Sequence, residues 1–487
     1  MSSRTTRSLL ATIAVLALAA TAGCTAQHDE VGPRLTRPDP SAVTVADQDS
    51  AADRAATLSR ALFRSAPGFV LAPADGSAAS AAVSAARHLH VPVLVADAGH
   101  RTEREAHRLG ADWYVAVGHA TDDVDARRDR LSDAPSVSAP PRASRPAVVV
   151  TTGDPRDAAA RGTIEAAGAT ESALPGGTTP LADAPHVIDD LRSARHSTTV
   201  LLGRAFAADP DPGYSVRAAR TGWQLPGGGQ RPFDGHRFVA LYGAPGAPSL
   251  GALGEQDPAS TIRRVRALAD QYTSLSDVPV VPSIEVIATV AAGAPGDNGD
   301  YSNELPVDRL TPYLDAARDA HMSVILDLQP GRSDFLTQAR RYETLLERPD
   351  VGLALDPEWR LGPDQVPLRQ IGSVSADEVN RTASWLARLV DRHDLPPKMF
   401  VLHEFRQSMI TDRGALDTSH PQLDVLVHVD GQGSQPDKQA TWNALHEGAP
   451  AGVSWGWKNF IDEDHPMLTP EQTMQQVLPT PALVTYQ

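Results

Sequence analysis

Apolar runs and helical periodicity alternate along most of this chain, and the scale of the alternation changes near residue 236. Before that point the units are small. Ala51–Ser65 carries helical spacing, and short β-rich runs follow at Gly68–Ala72, Val91–Val95 and Trp113–Val117. Between them, Ala-rich Ser77–Leu89 and then Thr102–Leu109 predict helices. Strands alternating with helices imply a small α/β unit with a largely parallel sheet. The Pro/Ser/Ala-rich stretch Ser132–Arg145 reads as a linker. A similar passage follows it: strand Ala147–Thr151, helices Pro155–Ala167 and Val187–Arg195, strand Thr198–Leu202. The two passages read as a diverged repeat.

Beyond residue 236 the rhythm becomes longer and more even. Strands are expected at Phe238–Tyr242, Val278–Ile287, Ser323–Leu328, Val351–Asp356, Met399–Glu404, Val425–Asp430 and Gly452–Trp455. Helices are expected at Ala259–Tyr272, Val307–His321, Asp334–Leu346, Ala376–Arg392 and Lys438–Leu445, with Ser260 and Ser375 as capping residues. This spacing and span fit a (β/α)8-like barrel. Seven strands are clear; an eighth is placed near Gln370–Val374, or the barrel is incomplete. A doubly wound open sheet is the alternative, and the even rhythm favours the barrel. The fold class expected is therefore α/β: small parallel α/β units at residues 51–235, then a barrel at 236–487.

The ends of the barrel strands carry the candidate chemistry. The run Val351–Leu355 stops on Asp356-Pro357-Glu358-Trp359. Pro357 cannot continue a helix and pushes Asp356 towards an extended conformation. If the chain stays extended, Asp356 and Glu358 face the same mouth. The pattern recurs: Glu285 on the second strand, Asp327 on the third, His403-Glu404 on the fifth, His428 and Asp430 on the sixth, and Trp455, Trp457 and Lys458 at the seventh. Carboxylates gathered at one mouth repel one another and raise some pKa values, as acid/base chemistry requires.

Paired carboxylates with nearby aromatic rings suit glycoside hydrolysis. Asp356 and Glu404 are the principal pair, with Glu358 and Glu285 as alternates. Asp327, Arg332, Trp359, His403, Asp430, Trp455, Trp457 and Lys458 are candidate substrate-binding groups. Strand alternation puts His403 and Glu404 on opposite faces. A metal-dependent polysaccharide hydrolase or deacetylase is an alternative, because His428 and Asp430 share a face and His, Asp and Glu suit zinc or manganese. No H-E-x-x-H occurs, so no metal and no cofactor is assigned. A non-catalytic wall- or carbohydrate-binding scaffold is the third reading.

The N-terminus changes the picture of location. Arg4 and Arg7 precede an apolar run, Leu9–Ala20, then small residues and Cys24, the single cysteine of the chain. This is the layout of a secretory signal, and the run is short for a membrane span. Thr21-Ala22-Gly23-Cys24 resembles a bacterial lipobox, with Thr21 where Leu is usual. The resemblance implies cleavage after a signal at residues 1–23 and lipidation of Cys24. Residues 24–50 are polar and Pro-bearing and read as a tether. A formal net charge of −16 without a basic block argues against nucleic acid. The expected partners are a cell-envelope glycan and the membrane, on its extracytoplasmic face; the oligomeric state is not indicated.

Three resemblances follow. Asp53–Ser59, Gly68–Val95 and Arg108–Gly118 resemble a cell-wall-binding repeat of type 2: an R-x-x-T-A-like start, an apolar strand, a helix, a P-x-L-L-like strand and a closing V-x-x-V-G-G, here ending Gly118-His119. That implies attachment to envelope polymers. The C-terminal half resembles glycoside-hydrolase-like TIM barrels in general pattern, and the whole chain resembles actinobacterial lipoproteins of unassigned activity that pair these two regions.

Overall fold

In the computed structural model of the chain, residues 32–97, 100–120, 128–131, 147–177 and 179–487 are described. The candidate signal, Cys24 and the Ser132–Arg145 linker lie outside the described residues. Among the described residues, no helix is long and apolar enough to cross a membrane.

The second half is a closed barrel of eight parallel strands. They are β1 (Arg237–Gly243), β2 (Val280–Ala291), β3 (Ser323–Leu328), β4 (Val351–Leu355), β5 (Lys398–Glu404), β6 (Leu423–Val429), β7 (Ser454–Asn459) and β8 (Leu483–Tyr486). β1 completes the ring, with Tyr242 opposite Glu285 on β2 and Leu241 opposite Tyr486 on β8. The eighth strand is therefore Leu483–Tyr486, and the expectation near Gln370–Val374 is corrected. Val374–Ser375 pairs outside the ring with Ile410–Thr411. β8 has four residues just after Pro479 and Pro481, and the prolines mask it as a turn segment in the sequence. Its faces still alternate: Leu483 packs inside the barrel, Val484 and Tyr486 outside.

The helices pack around the ring through a large apolar layer built from outward-facing strand residues such as Val239, Leu353 and Phe400. Ser375 caps Ala376–Arg392 as expected, accepting from the Glu378 amide. At Pro258–Thr273 the cap is Asp257, which accepts from the Ser260 amide, so Ser260 lies within the first turn. The barrel interior has two levels. Phe238, Ala240, Val281, Ile325, Ala354, Met399, Val401, Leu426 and Leu483 fill the lower level, closed below by Leu225 and Phe233. Towards the C-terminal ends of the strands the interior turns ionic.

The first half contains two four-stranded parallel sheets. One is ordered Val93–Val95, Gly68–Ala72, Trp113–Ala116, Asp129–Arg130; the other Val43–Ala46, Thr199–Leu202, Val148–Thr151, Thr170–Ala173. A single core joins them, from Phe69 and Leu71 in one sheet to Val149 and Val200 in the other. Val43–Ala46 lies in the stretch read as a tether; it pairs in register with Thr199–Leu202. The helix Pro212–Thr221 docks this half on the barrel: Tyr214 Oη donates to the Leu395 carbonyl at 3.0 Å, and Arg217 pairs with Asp391 and Asp394.

Candidate functional site

Alternation along the strands decides which side chains meet on the barrel axis. On β1 the inward series Phe238, Ala240 ends in Tyr242; on β3 Ile325 is followed by Asp327; on β5 Met399 and Val401 lead to His403; on β6 Leu426 leads to His428. Register then sets neighbours: Tyr242 lies opposite Glu285, His403 opposite His428, and Lys458 opposite Thr485.

His403 is the hub. Its Nε2 is 2.7 Å from Glu285 Oε1 and 4.0 Å from Asp327 Oδ1, and its Nδ1 is 3.2 Å from Asp430 Oδ2. Glu285, Asp327 and His403 are all fully buried. Tyr242 Oη donates to Asp327 Oδ2 at 2.7 Å and accepts from Gln329 Nε2 at 3.3 Å. The Lys458 ammonium sits 3.5 Å from the centroid of the Tyr242 ring, a cation–π contact in a desolvated setting. His428 stacks at a tilt on His403, centroids 4.8 Å apart, with its Nε2 3.1 Å from Thr485 Oγ1.

The electrostatics follow from burial and proximity. Burial, then the like charges of Asp327 and Asp430, hold Asp356 well above the usual carboxylate range. Burial and Asp430 push Glu358 up to about 7. Burial and Glu285 raise Asp327 to about 6, against the pull of His403. Burial opposes the His403 imidazolium, but Glu285 and Asp430 outweigh it and hold its pKa well above the ordinary value. Asp430 is opposed by burial too, yet its bond to His403 leaves it low. Burial, with the cationic His403 and Lys458 nearby, holds His428 well below its ordinary value, hence neutral.

The sequence-derived candidates separate into three places. Glu285, Asp327, Asp356, Glu358, His403, Asp430 and Lys458 gather at the upper interior. Arg332 and Trp359 stand at the rim; the Arg332 guanidinium lies 4.2 Å from the ring centroid of Tyr301, a residue not among those candidates, and donates to the Gln365 carbonyl. Glu404, Trp455 and Trp457 face away from the axis. Glu404 pairs with Arg413 at 2.9 Å, and Arg413 also donates to the Leu445 carbonyl behind the barrel wall. Trp455 stacks on His446 at 3.5 Å, and Trp442 packs edge-on against Trp457. These indoles are wall-to-helix packing. The extended geometry expected past Pro357 is also replaced: Pro357–Trp359 forms a 3-10 turn, with Asp356 Oδ1 accepting from the Glu358 amide. The turn carries Glu358 past the strand end without strand alternation, with its charge still felt at Asp356.

Tyr242, Gln329 and Thr485 were not singled out as site residues. For Tyr242 the signal was present, since it shares the inward face of Phe238 and Ala240 two and four residues before it. The arrangement can hold and move protons, and Glu358 beside it is half-buried. Compared with known protein families and with curated proteins, the chain matches none.

Proposed function

We propose that the chain is a lipid-anchored envelope protein whose barrel hydrolyses a cell-envelope glycan, with Glu358 as general acid and Asp356 as its partner carboxylate. One observation carries this reading: two carboxyl groups joined by a single tight turn at the mouth of the barrel, both with pKa values pushed up, Glu358 to about 7. A carboxylic acid that keeps its proton near neutral pH protonates a leaving oxygen; its partner Asp356 serves as nucleophile or base once it has given up the proton that burial and the charges of Asp327 and Asp430 hold on it. Tyr301 and Trp359 at the rim offer faces to sugar rings, and Arg332 offers hydroxyl or anion contacts. Glu404, held by Arg413 behind the wall, has no part in this chemistry.

Anchoring at Cys24 rests on the lipobox-like residues, and wall attachment on the type 2 repeat resemblance; the parallel strand–helix order of Asp53–Gly118 supports the latter. The test uses the purified full chain on a panel of envelope glycans, read by release of reducing ends. Asp356→Asn and Glu358→Gln should each lower kcat by about 10²–10⁴-fold, the range of a lost general acid or base. Wild-type turnover that survives both substitutions removes the assignment. Glycan binding without any hydrolysis replaces it with the scaffold reading.

A further inference from the structure

His403 is braced in a way the hydrolytic reading does not use. Its Nδ1 is held by Asp430 at 3.2 Å, which leaves Nε2 directed at Glu285 and Asp327. Asp327 is braced likewise: Tyr242 occupies Oδ2 at 2.7 Å, while Oδ1 has no hydrogen-bond partner. Glu285 Oε2 is also without a partner. Both carboxylates are fully buried, and a buried carboxylate oxygen left unpaired is costly. One ligand atom from each of Glu285, Asp327 and His403 lies within 4.8 Å of the others, the only such group of three among the described residues.

We propose that Glu285, Asp327 and His403 form a divalent-cation site on the barrel axis. One imidazole nitrogen and two carboxylate oxygens suit manganese or zinc. On binding, the ion would take the place of the proton that His403 Nε2 shares with Glu285; Asp430 then completes a carboxylate–histidine–metal relay, fixing the tautomer that presents Nε2, and Tyr242 orients Asp327 in the same manner. Ligand atoms each about 2.1 Å from a shared ion stand about 3–4 Å apart. The 4.0 Å separation of His403 Nε2 and Asp327 Oδ1 meets this, and the 2.7 Å contact to Glu285 needs to open only by about half an ångström. A cation also takes over from the displaced His403 proton in offsetting the repulsion among Glu285, Asp327 and Asp430. The site differs from the His428–Asp430 face considered from sequence, because His428 points its Nε2 at Thr485.

The experiment is direct binding, independent of any turnover. Full-length protein stripped with EDTA is dialysed against Mn²⁺ and its metal content measured, and the bound ion is probed by pulsed EPR. One Mn²⁺ per chain coupled to a single imidazole nitrogen is expected, with Zn²⁺ competing for the site. Glu285→Gln and Asp327→Asn, with native circular dichroism, should each weaken binding at least 100-fold. Asp430→Asn should weaken it about 10–100-fold and keep the nitrogen coupling, as for an outer-sphere partner. No binding by folded wild type, bound Mn²⁺ without nitrogen coupling, or affinity unchanged in the folded variants each overturns the site. If the variants fail to fold, the wild-type nitrogen coupling decides. Failure of glycan hydrolysis leaves this result untouched, and the converse holds.

Discussion

His403 and Glu404 are adjacent in sequence and on opposite sides of the barrel wall. The first joins the axial cluster; the second meets Arg413 at 2.9 Å. Burial, only partly offset by Arg413, pushes the Glu404 carboxyl up to about 7. Such a value invites a catalytic reading, but here it reports a desolvated ion pair between barrel and helices. Glu404→Gln should therefore leave glycan turnover within about twofold of wild type, in contrast to the 10²–10⁴-fold losses at Asp356 and Glu358. It should also lower the thermal midpoint, because Arg413 loses its charge partner. A loss of kcat in folded Glu404→Gln as large as that in Asp356→Asn would return Glu404 to the site. The separation of the pair was legible from the two-residue period of a strand. The side each residue takes was not, because apolar neighbours flank both: Val401 faces inward and Leu402 outward. Trp455 and Trp457 misled for the same reason. The inward residue of their strand is Lys458, and an apolar residue at a strand end is as much at home in the wall as in the mouth.

At the scale of elements, continuous apolar runs announced themselves, the four-residue Val148–Thr151 and Thr199–Leu202 included. β3 begins and ends where periodicity placed it, at Ser323 and Leu328, and Ala376–Arg392 is the helix expected. Thr170–Ala173 escaped because Thr-Glu-Ser-Ala holds no apolar run, and β8 because its four residues follow Pro479 and Pro481. β7 shows what spacing alone conceals. Gly456 lies between two indoles, opposite His428 in register. A Cβ there would stand 2.6 Å from His428 Cδ2 and 2.9 Å from Leu426 Cδ2. The glycine thus makes room for the inward imidazole, which could not otherwise stack on His403 and reach Thr485. Gly456→Ala should destabilise the barrel by about 1–3 kcal/mol, the usual cost of overpacking. The denaturation midpoint in urea should fall while the slope stays constant. An unchanged midpoint would mean the interior yields there at no cost.

The two halves of the molecule meet beneath the barrel, at the end remote from the acid cluster, around a cavity of ≈ 350 Å³ lined by both. Asp424, at the lower end of β6, is part of its wall. One of its oxygens accepts from the Phe233 amide at 2.7 Å, tying the barrel to the segment that closes its floor. Burial raises the Asp424 carboxyl to about 6, against the pull of the Phe233 amide and Arg231. The folded pKa lies above the unfolded value of about 3.9, so the folded state binds more protons between roughly pH 4 and 6. The stability this group contributes is therefore fully present below about pH 4 and is lost as pH rises through 6. Asn has no such titration and can still accept from the Phe233 amide. Asp424→Asn should gain about 1–2 kcal/mol over wild type at pH 8, with the difference closing towards pH 4. Urea midpoints for both proteins at the two pH values measure it. Equal shifts at both would mean that Asp424 titrates alike in the folded and unfolded chains, and that the charge of this contact does not couple the halves.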